Sequence, residues 1–309
     1  MTETTSDKKL QFKGPLKEVE IFNRPLIKKR RDRIASEFRK HDFINQEITN
    51  RLIDNVQDIK RNFNIILNMN CDERSMHTHF ENVFVINQDL SYKMVSRYEG
   101  LKIQADEELF PFQNQSLELI LSCLNLHWVN DLPGALAQLL HGLKPDGLFL
   151  GALFGGETLT ELRQSMLKAD MDHRGGISPH ISPFVDVRDA GSLMQRAGFT
   201  LPVVSTERIT VTYSDAFALM KELKGMGENN ALMKGYKALS SPKLMMKVAE
   251  NYHLSFANEQ GRIPVTFDII YLQGWAPHES QQKPLKPGSG KMFLKDALGQ
   301  KPPKSDKLS

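Results

Sequence analysis

Between residues 63 and 154 the chain alternates short apolar runs with polar stretches that suit helices. The first four runs each end on Asn or Asp. The first, 63–69, runs into Asn68-Met69-Asn70-Cys71-Asp72. The second, 83–86, leads to Asn87-Gln88-Asp89. The third, 101–105, stops at Asp106. The fourth, 117–124, is broken only by Glu118 and Ser122 and meets Asn125. A fifth, 148–154, follows the turn-forming Lys144-Pro145-Asp146-Gly147. Helices fit between them at 91–98 and 132–143. Strands apolar on both faces and separated by helices predict a doubly wound α/β fold: a mostly parallel sheet covered on both sides.

The flanks are less regular. Ile27, Ile34 and Phe38 are seven and four apart, so 18–40 predicts an amphipathic helix lying on the main domain. Its run Lys28-Lys29-Arg30-Arg31-Asp32-Arg33 reads as a solvated basic face, with an acidic partner or nucleic acid as the functional alternative. A second helix is expected over 46–58. Beyond 154 the pattern predicts helices at 157–169, 187–197 (closed by Gly198), 215–224 and 242–257, and strands at 203–213 and 265–275. The expected organisation is a disordered 1–16, a helical segment 17–60, a main domain 61–275 and a disordered tail 276–309.

Charge narrows the function. Lys and Arg number 40 against 37 Asp and Glu, a net +3. That is too balanced for a dedicated nucleic-acid binder, so no nucleic-acid partner is expected. No 18-residue apolar window occurs, so no helix is expected to span a membrane. The first residues carry acids and no apolar stretch, which argues against a transit peptide. Cys71 and Cys123 are the only cysteines. They form no disulfide framework and read as small buried groups in a reducing compartment.

In doubly wound sheets, ligands bind beyond the carboxyl ends of the strands. The polar residues at those ends are the candidate binding groups: Asn68 and Asn70, Asp89, Asp106 and Asn125. Asp89 lies 18 residues past Cys71, about where an acid binds a ribose diol in nucleotide folds. Asp is also favoured as a helix N-cap. Asp106 could accept from an adenine amino group or cap its own turn. His127 follows the fourth strand and His180 lies in Ser178-Pro179-His180-Ile181-Ser182-Pro183; each could move a proton near neutral pH. Trp128 reads as a packing residue. Cys71, Asp72, Glu73, His77 and His79 contain metal-ligating types, but their spacing fits no closed site. His79 and Glu81 are i and i+2 in a helical stretch and do not face each other. No metal site is assigned.

Several stretches resemble class I S-adenosylmethionine (SAM) methyltransferases. They are Ala105-Asp106-Glu107-Glu108-Leu109-Phe110-Pro111-Phe112, Leu126-His127-Trp128-Val129-Asn130-Asp131-Leu132-Pro133 and Leu143-Lys144-Pro145-Asp146-Gly147. The segments 151–163 and 175–184, with Arg196-Ala197-Gly198-Phe199 and Gly225-Met226-Gly227-Glu228, narrow this further. They resemble the family of mitochondrial complex I (NADH dehydrogenase) assembly factor 5, itself related to the biotin-pathway malonyl-carrier-protein methyltransferase. The resemblance spans about residues 18–280. It implies a seven-stranded sheet with the last strand antiparallel, SAM as cofactor, and a role in maturing respiratory complex I on a protein client. Mitochondrial members are described as hydroxylating an arginine of a complex I subunit; bacterial relatives are usually labelled methyltransferases. The compartment implied is the mitochondrial matrix or a bacterial cytoplasm, with peripheral association at the inner membrane face left open. The ending Gly274-Trp275-Ala276-Pro277-His278 is closer to the mitochondrial branch.

One loop departs from that pattern. Class I methyltransferases carry Asp-Leu-Gly-Cys-Gly-x-Gly after the first strand; this chain has Asn68-Met69-Asn70-Cys71-Asp72-Glu73-Arg74. All three glycine positions hold larger residues: Asn70, Asp72 and Arg74. The leading acid is Asn68. Asn and Asp tolerate positive φ, so the turn can survive, but the space for a cofactor shrinks and Asp72 or Glu73 would repel its carboxylate. Two readings follow. Either SAM binds through Asp89, Asp106 and the loop after the fourth strand, or the fold persists as a binding platform.

Overall fold

The computed structural model describes residues 20–80, 82–174, 176, 178–233 and 241–282. The termini expected to be disordered lie almost wholly outside this set. Residues up to Pro277 belong to one compact unit, and His278 begins another.

Seven strands form one sheet in the order β3-β2-β1-β4-β5-β7-β6. They are β1 (Ile65–Met69), β2 (Phe84–Asp89), β3 (Leu101–Gln104), β4 (Leu117–Cys123), β5 (Leu143–Phe154), β6 (Thr200–Tyr213) and β7 (Ile263–Trp275). The first five pair in parallel, as apolar strands joined by helical crossovers must. β7 runs antiparallel to both β5 and β6. This is the doubly wound, mostly parallel seven-stranded sheet expected from the sequence, with the antiparallel last strand that the resemblance implies.

The core follows from strand alternation. On β4, Leu119 and Leu121 join the side chains of α2 (Phe43–Gln57), α6 (Thr160–Arg174), α8 (Ala216–Met226) and α9 (Pro242–Phe256). Ile120 points the other way, into a cluster with α5 (Leu132–Gly142) and α7 (Val187–Ala197). Successive strand residues face opposite sides, so both faces are buried. The short helices α3 (Glu73–His79) and α4 (Tyr92–Val95) complete the crossovers.

One expectation is overturned. The N-terminal helix, α1 (Arg24–Ile34), buries Ile27 and Ile34 as its spacing requires, but also Arg24 and Arg31. Its basic run is therefore only partly a solvated face. Residues 24, 27, 31 and 34 are spaced three, four and three apart, so they share one side of the helix. That side lies over the carboxyl ends of the strands.

Candidate functional site

The loop after β1 closes on itself. Asn70 adopts φ +68, a conformation Asn tolerates. Asn68 is fully buried: its Oδ1 accepts from the Cys71 N–H at 2.8 Å and its Nδ2 donates to Asn87 Oδ1 at 2.9 Å. Asp72 caps α3, accepting from the N–H groups of Arg74 and Ser75. The Arg74 side chain folds back onto Asp72 and Asp42, at 2.9 and 2.8 Å. Asp72 is thus neutralised within the loop. His79 Nδ1 lies 2.8 Å from the Ser75 carbonyl oxygen, and Glu81 falls outside the described residues. Among the described residues, no three His, Cys, Asp or Glu side chains gather into a set that could hold a metal ion.

Asp89 ends β2 and is 2 % exposed. Arg31 grips it with a two-pronged fork, Nε to Oδ1 at 3.1 Å and Nη2 to Oδ2 at 2.5 Å. The same Nη2 donates to Asn70 Oδ1 at 2.7 Å, and Asn70 Nδ2 donates to the Cys123 carbonyl at 2.8 Å. Asp89 Oδ1 also accepts from the Ser91 N–H at 2.7 Å, the cap-like contact at the start of the following helix. Burial works against the Arg31 charge, but the facing acids, Asp89 foremost, outweigh it and hold the guanidinium above its ordinary value.

Arg24 does the same two turns earlier on α1. It pairs with Asp106 at 2.6 Å and with the buried Glu107. Asp106 Oδ1 accepts from the Glu108 N–H. Asn125 accepts from Ser122 Oγ at 2.6 Å and donates to Glu107 at 3.4 Å. Burial pushes the Glu107 carboxyl above its ordinary value, and Arg24 opposes that rise. The structure thus brings Asn70, Asp89, Asp106 and Asn125 to one end of the sheet, each tied to α1 directly or through Glu107.

The two histidines flank a cavity beside this cluster. His127 is buried among Trp128, Phe154 and Phe184. Its Nε2 lies 3.0 Å from Glu228 Oε2. Glu228 is placed by the stop of α8: Gly227 takes φ +87, and the N–H groups of Gly227 and Glu228 donate to the Lys224 and Leu223 carbonyls, a Schellman end. His180 Nε2 lies 2.7 Å from Asp170 Oδ2, on the buried side of α6. His180, Glu228, Trp128, Phe184, Met220 and Arg30 line a cavity of about 300 Å³, whose remaining walls include Leu159, Leu162 and Met166. That is the lower end of the size range of small-ligand sites, roughly 300–1,000 Å³.

A SAM nucleotide does not fit this groove. Both oxygens of Asp89 are engaged by Arg31. The space between Arg31, Asn70, Asn45 and Glu228 is about 20 Å³, room for about one water.

Arg24, Arg31, Glu107, Glu228 and Asp170 escaped the sequence reading as site residues. A signal existed for the first two: they share the helical face set by Ile27 and Ile34. The others face the site only through tertiary placement.

Residues 72–151 match the family described as a methyltransferase domain. The chain is 37% identical to the mitochondrial arginine-hydroxylase NDUFAF5 of Danio rerio, over 89% of each chain. It is 40% identical to the Homo sapiens protein of that name, over 87% of this chain and 81% of the relative. Identity to the malonyl-[acyl-carrier protein] O-methyltransferase of Halorhodospira halophila is 27%, over 86% of this chain and 92% of the other. Among solved structures, a putative methyltransferase from Bacillus halodurans superposes with a TM-score of 0.50 at 14% identity, covering 74% of this chain and 99% of its own; it shares the fold. By sequence, the chain belongs to the arginine-hydroxylase NDUFAF5 family.

Proposed function

We propose that the chain acts on a protein client in the maturation of respiratory complex I, by holding a client arginine side chain in the cavity beside α1. The observation that carries this reading is Glu228: a carboxylate 3.0 Å from His127 on the wall of a cavity whose apolar part includes Trp128, Leu162, Phe184 and Met220, and where Arg30 is turned to the Asn229 and Asn230 carbonyls. Apolar walls suit the methylene stem of an arginine, and a carboxylate suits its guanidinium. His180, backed by the buried Asp170 at 2.7 Å, adds a second polar group to the lining. The relatives, named arginine-hydroxylases, support an arginine as the group acted on and hydroxylation as the chemistry, with dioxygen and an external two-electron reductant as co-reactants: one oxygen atom enters the C–H bond and the other leaves as water.

Methyl transfer from SAM is the second reading. The matched methyltransferase domain favours it, but it requires α1 to leave Asp89 and Asn70. The chain's place would be the mitochondrial matrix or, for a bacterial member, the cytoplasm, with the inner face of the membrane within reach. Among the described residues, no helix is long and apolar enough to cross a membrane.

The test is binding of arginine-bearing peptides from complex I subunits to the full chain and to Glu228→Gln. A hydrogen bond to a charged group is worth roughly 1.5–3 kcal/mol, so Glu228→Gln is expected to weaken binding at least about tenfold. Replacing the peptide arginine by alanine should do the same. Equal binding by the variant would refute the assignment.

A further inference from the structure

The end of the sheet where this fold holds a nucleotide is filled by the chain's own residues 22–34. Phe22 and Ile27 form a buried cluster with Leu90 and Trp128, and Phe22 meets the Trp128 ring edge-on at 5.4 Å. Leu90 directly follows Asp89, so this apolar cluster sits beside the acid as a base sits beside its ribose. Arg24 takes Asp106 and Glu107; Arg31 takes Asp89 and Asn70. We propose that this segment is a built-in occupant of the nucleotide groove, and that the folded chain binds no nucleoside cofactor there. The apolar side chains stand where a base would stack, and the two guanidiniums stand where ribose and base would donate.

Two further observations make the occupant hard to displace. The segment is fastened along its length. The Ile21 and Phe22 N–H groups donate to Asn130 Oδ1 at 2.8 and 2.7 Å, and the Asn23 N–H donates to the Ala231 carbonyl at 2.8 Å. Arg30 donates to the carbonyls of Asn229 and Asn230, each at 2.8 Å. Displacement also has an electrostatic cost. It would leave Asp89 and Glu107 buried without their positive partners, which is strongly unfavourable. A ribose diol offers hydroxyl donors and no positive charge to replace them.

Thermal unfolding of the full chain and of Arg31→Ala decides the matter, each measured with SAM, with adenosine and with methylguanidinium. SAM and adenosine should leave the midpoint of the natural chain unmoved. Arg31→Ala should melt several degrees lower, and millimolar methylguanidinium should recover part of that loss in the variant alone. A stabilising shift of the natural chain by SAM or adenosine overturns the proposal, because the groove then opens to a nucleoside. Recovery of the variant by adenosine instead of methylguanidinium overturns it too, as does a variant as stable as the natural chain. If Arg31→Ala does not fold, the SAM and adenosine arms on the natural chain still decide, and Arg31→Lys, which keeps the charge but loses the fork, should melt lower than the natural chain. Client binding at Glu228 is a separate measurement and stands or falls without this one.

Discussion

At the scale of single residues, α1 brings two guanidiniums, Arg24 and Arg31, against two buried carboxylates, Glu107 and Asp89, with the part-exposed Asp106 also paired to Arg24. Such buried clusters add little net stability, since desolvation offsets most of the Coulomb gain, but removing one partner is costly. Burial holds the Glu107 carboxyl above its ordinary value of 4.5, with Arg24 opposing the rise and Asp89 adding to it. The folded chain therefore keeps a proton on Glu107 at pH values where the unfolded chain has lost it. The resulting stability is present below the ordinary value and is lost as pH rises through the folded one. Glu107→Gln removes that titration. Its midpoint relative to the natural chain should therefore rise as the pH increases above the ordinary carboxyl range. A difference that stays constant with pH would contradict the protonation assigned to Glu107. Of these residues, Asp89, Asp106, Asn70 and Asn125 stood out in the sequence because they end strands. Their partners did not, because a run of six residues with five basic ones reads as surface until its helical face is plotted.

At the scale of elements, the site depends on where α8 stops. Gly227 holds φ +87, and a Cβ there would stand 2.9 Å from Ile34 Cδ1 on α1. Gly227→Ala should cost about 1–2 kcal/mol from the left-handed backbone alone, read by denaturant unfolding. The added contact with Ile34 should raise that figure. No loss of stability would mean that α8 does not anchor Glu228 in this way. Most elements were legible from periodicity and capping: α7 spans 187–197 and ends at Gly198, as expected. Where boundaries moved, a specific contact moved them. β2 continues past Ile86 to Asp89, where the Asn87 amide is satisfied within the fold: its Oδ1 accepts from Asn68 Nδ2 at 2.9 Å and its Nδ2 donates to the Glu99 and Leu101 carbonyls. α6 begins at Thr160 and not at 157 because Thr158 Oγ1 exchanges hydrogen bonds with the Asp268 backbone on β7. β5 begins at Leu143, ahead of the expected turn, with Asp146 at φ +63 inside it. None of these pairings has a local sequence signature.

At the scale of the whole molecule, the chain keeps the methyltransferase fold while its first loop has lost the glycines that admit the cofactor. Those two facts were both visible in the sequence, and they pointed in opposite directions. The structure relates them through α1: the volume that the glycines would open is taken by Asn70 and Arg31, and the remaining cavity lies next door, under Glu228. In the proposed function, this cavity handles a client arginine without methyl transfer. The most direct test is intact-mass and peptide-level analysis of complex I subunits from cells with the natural chain, with the chain deleted, and with Glu228→Gln. The expected result is an arginine that carries the mass of one added oxygen with the natural chain and loses it in both other cases. A mark of one methyl group that vanishes on deletion would contradict it and make methyl transfer the chemistry of this protein.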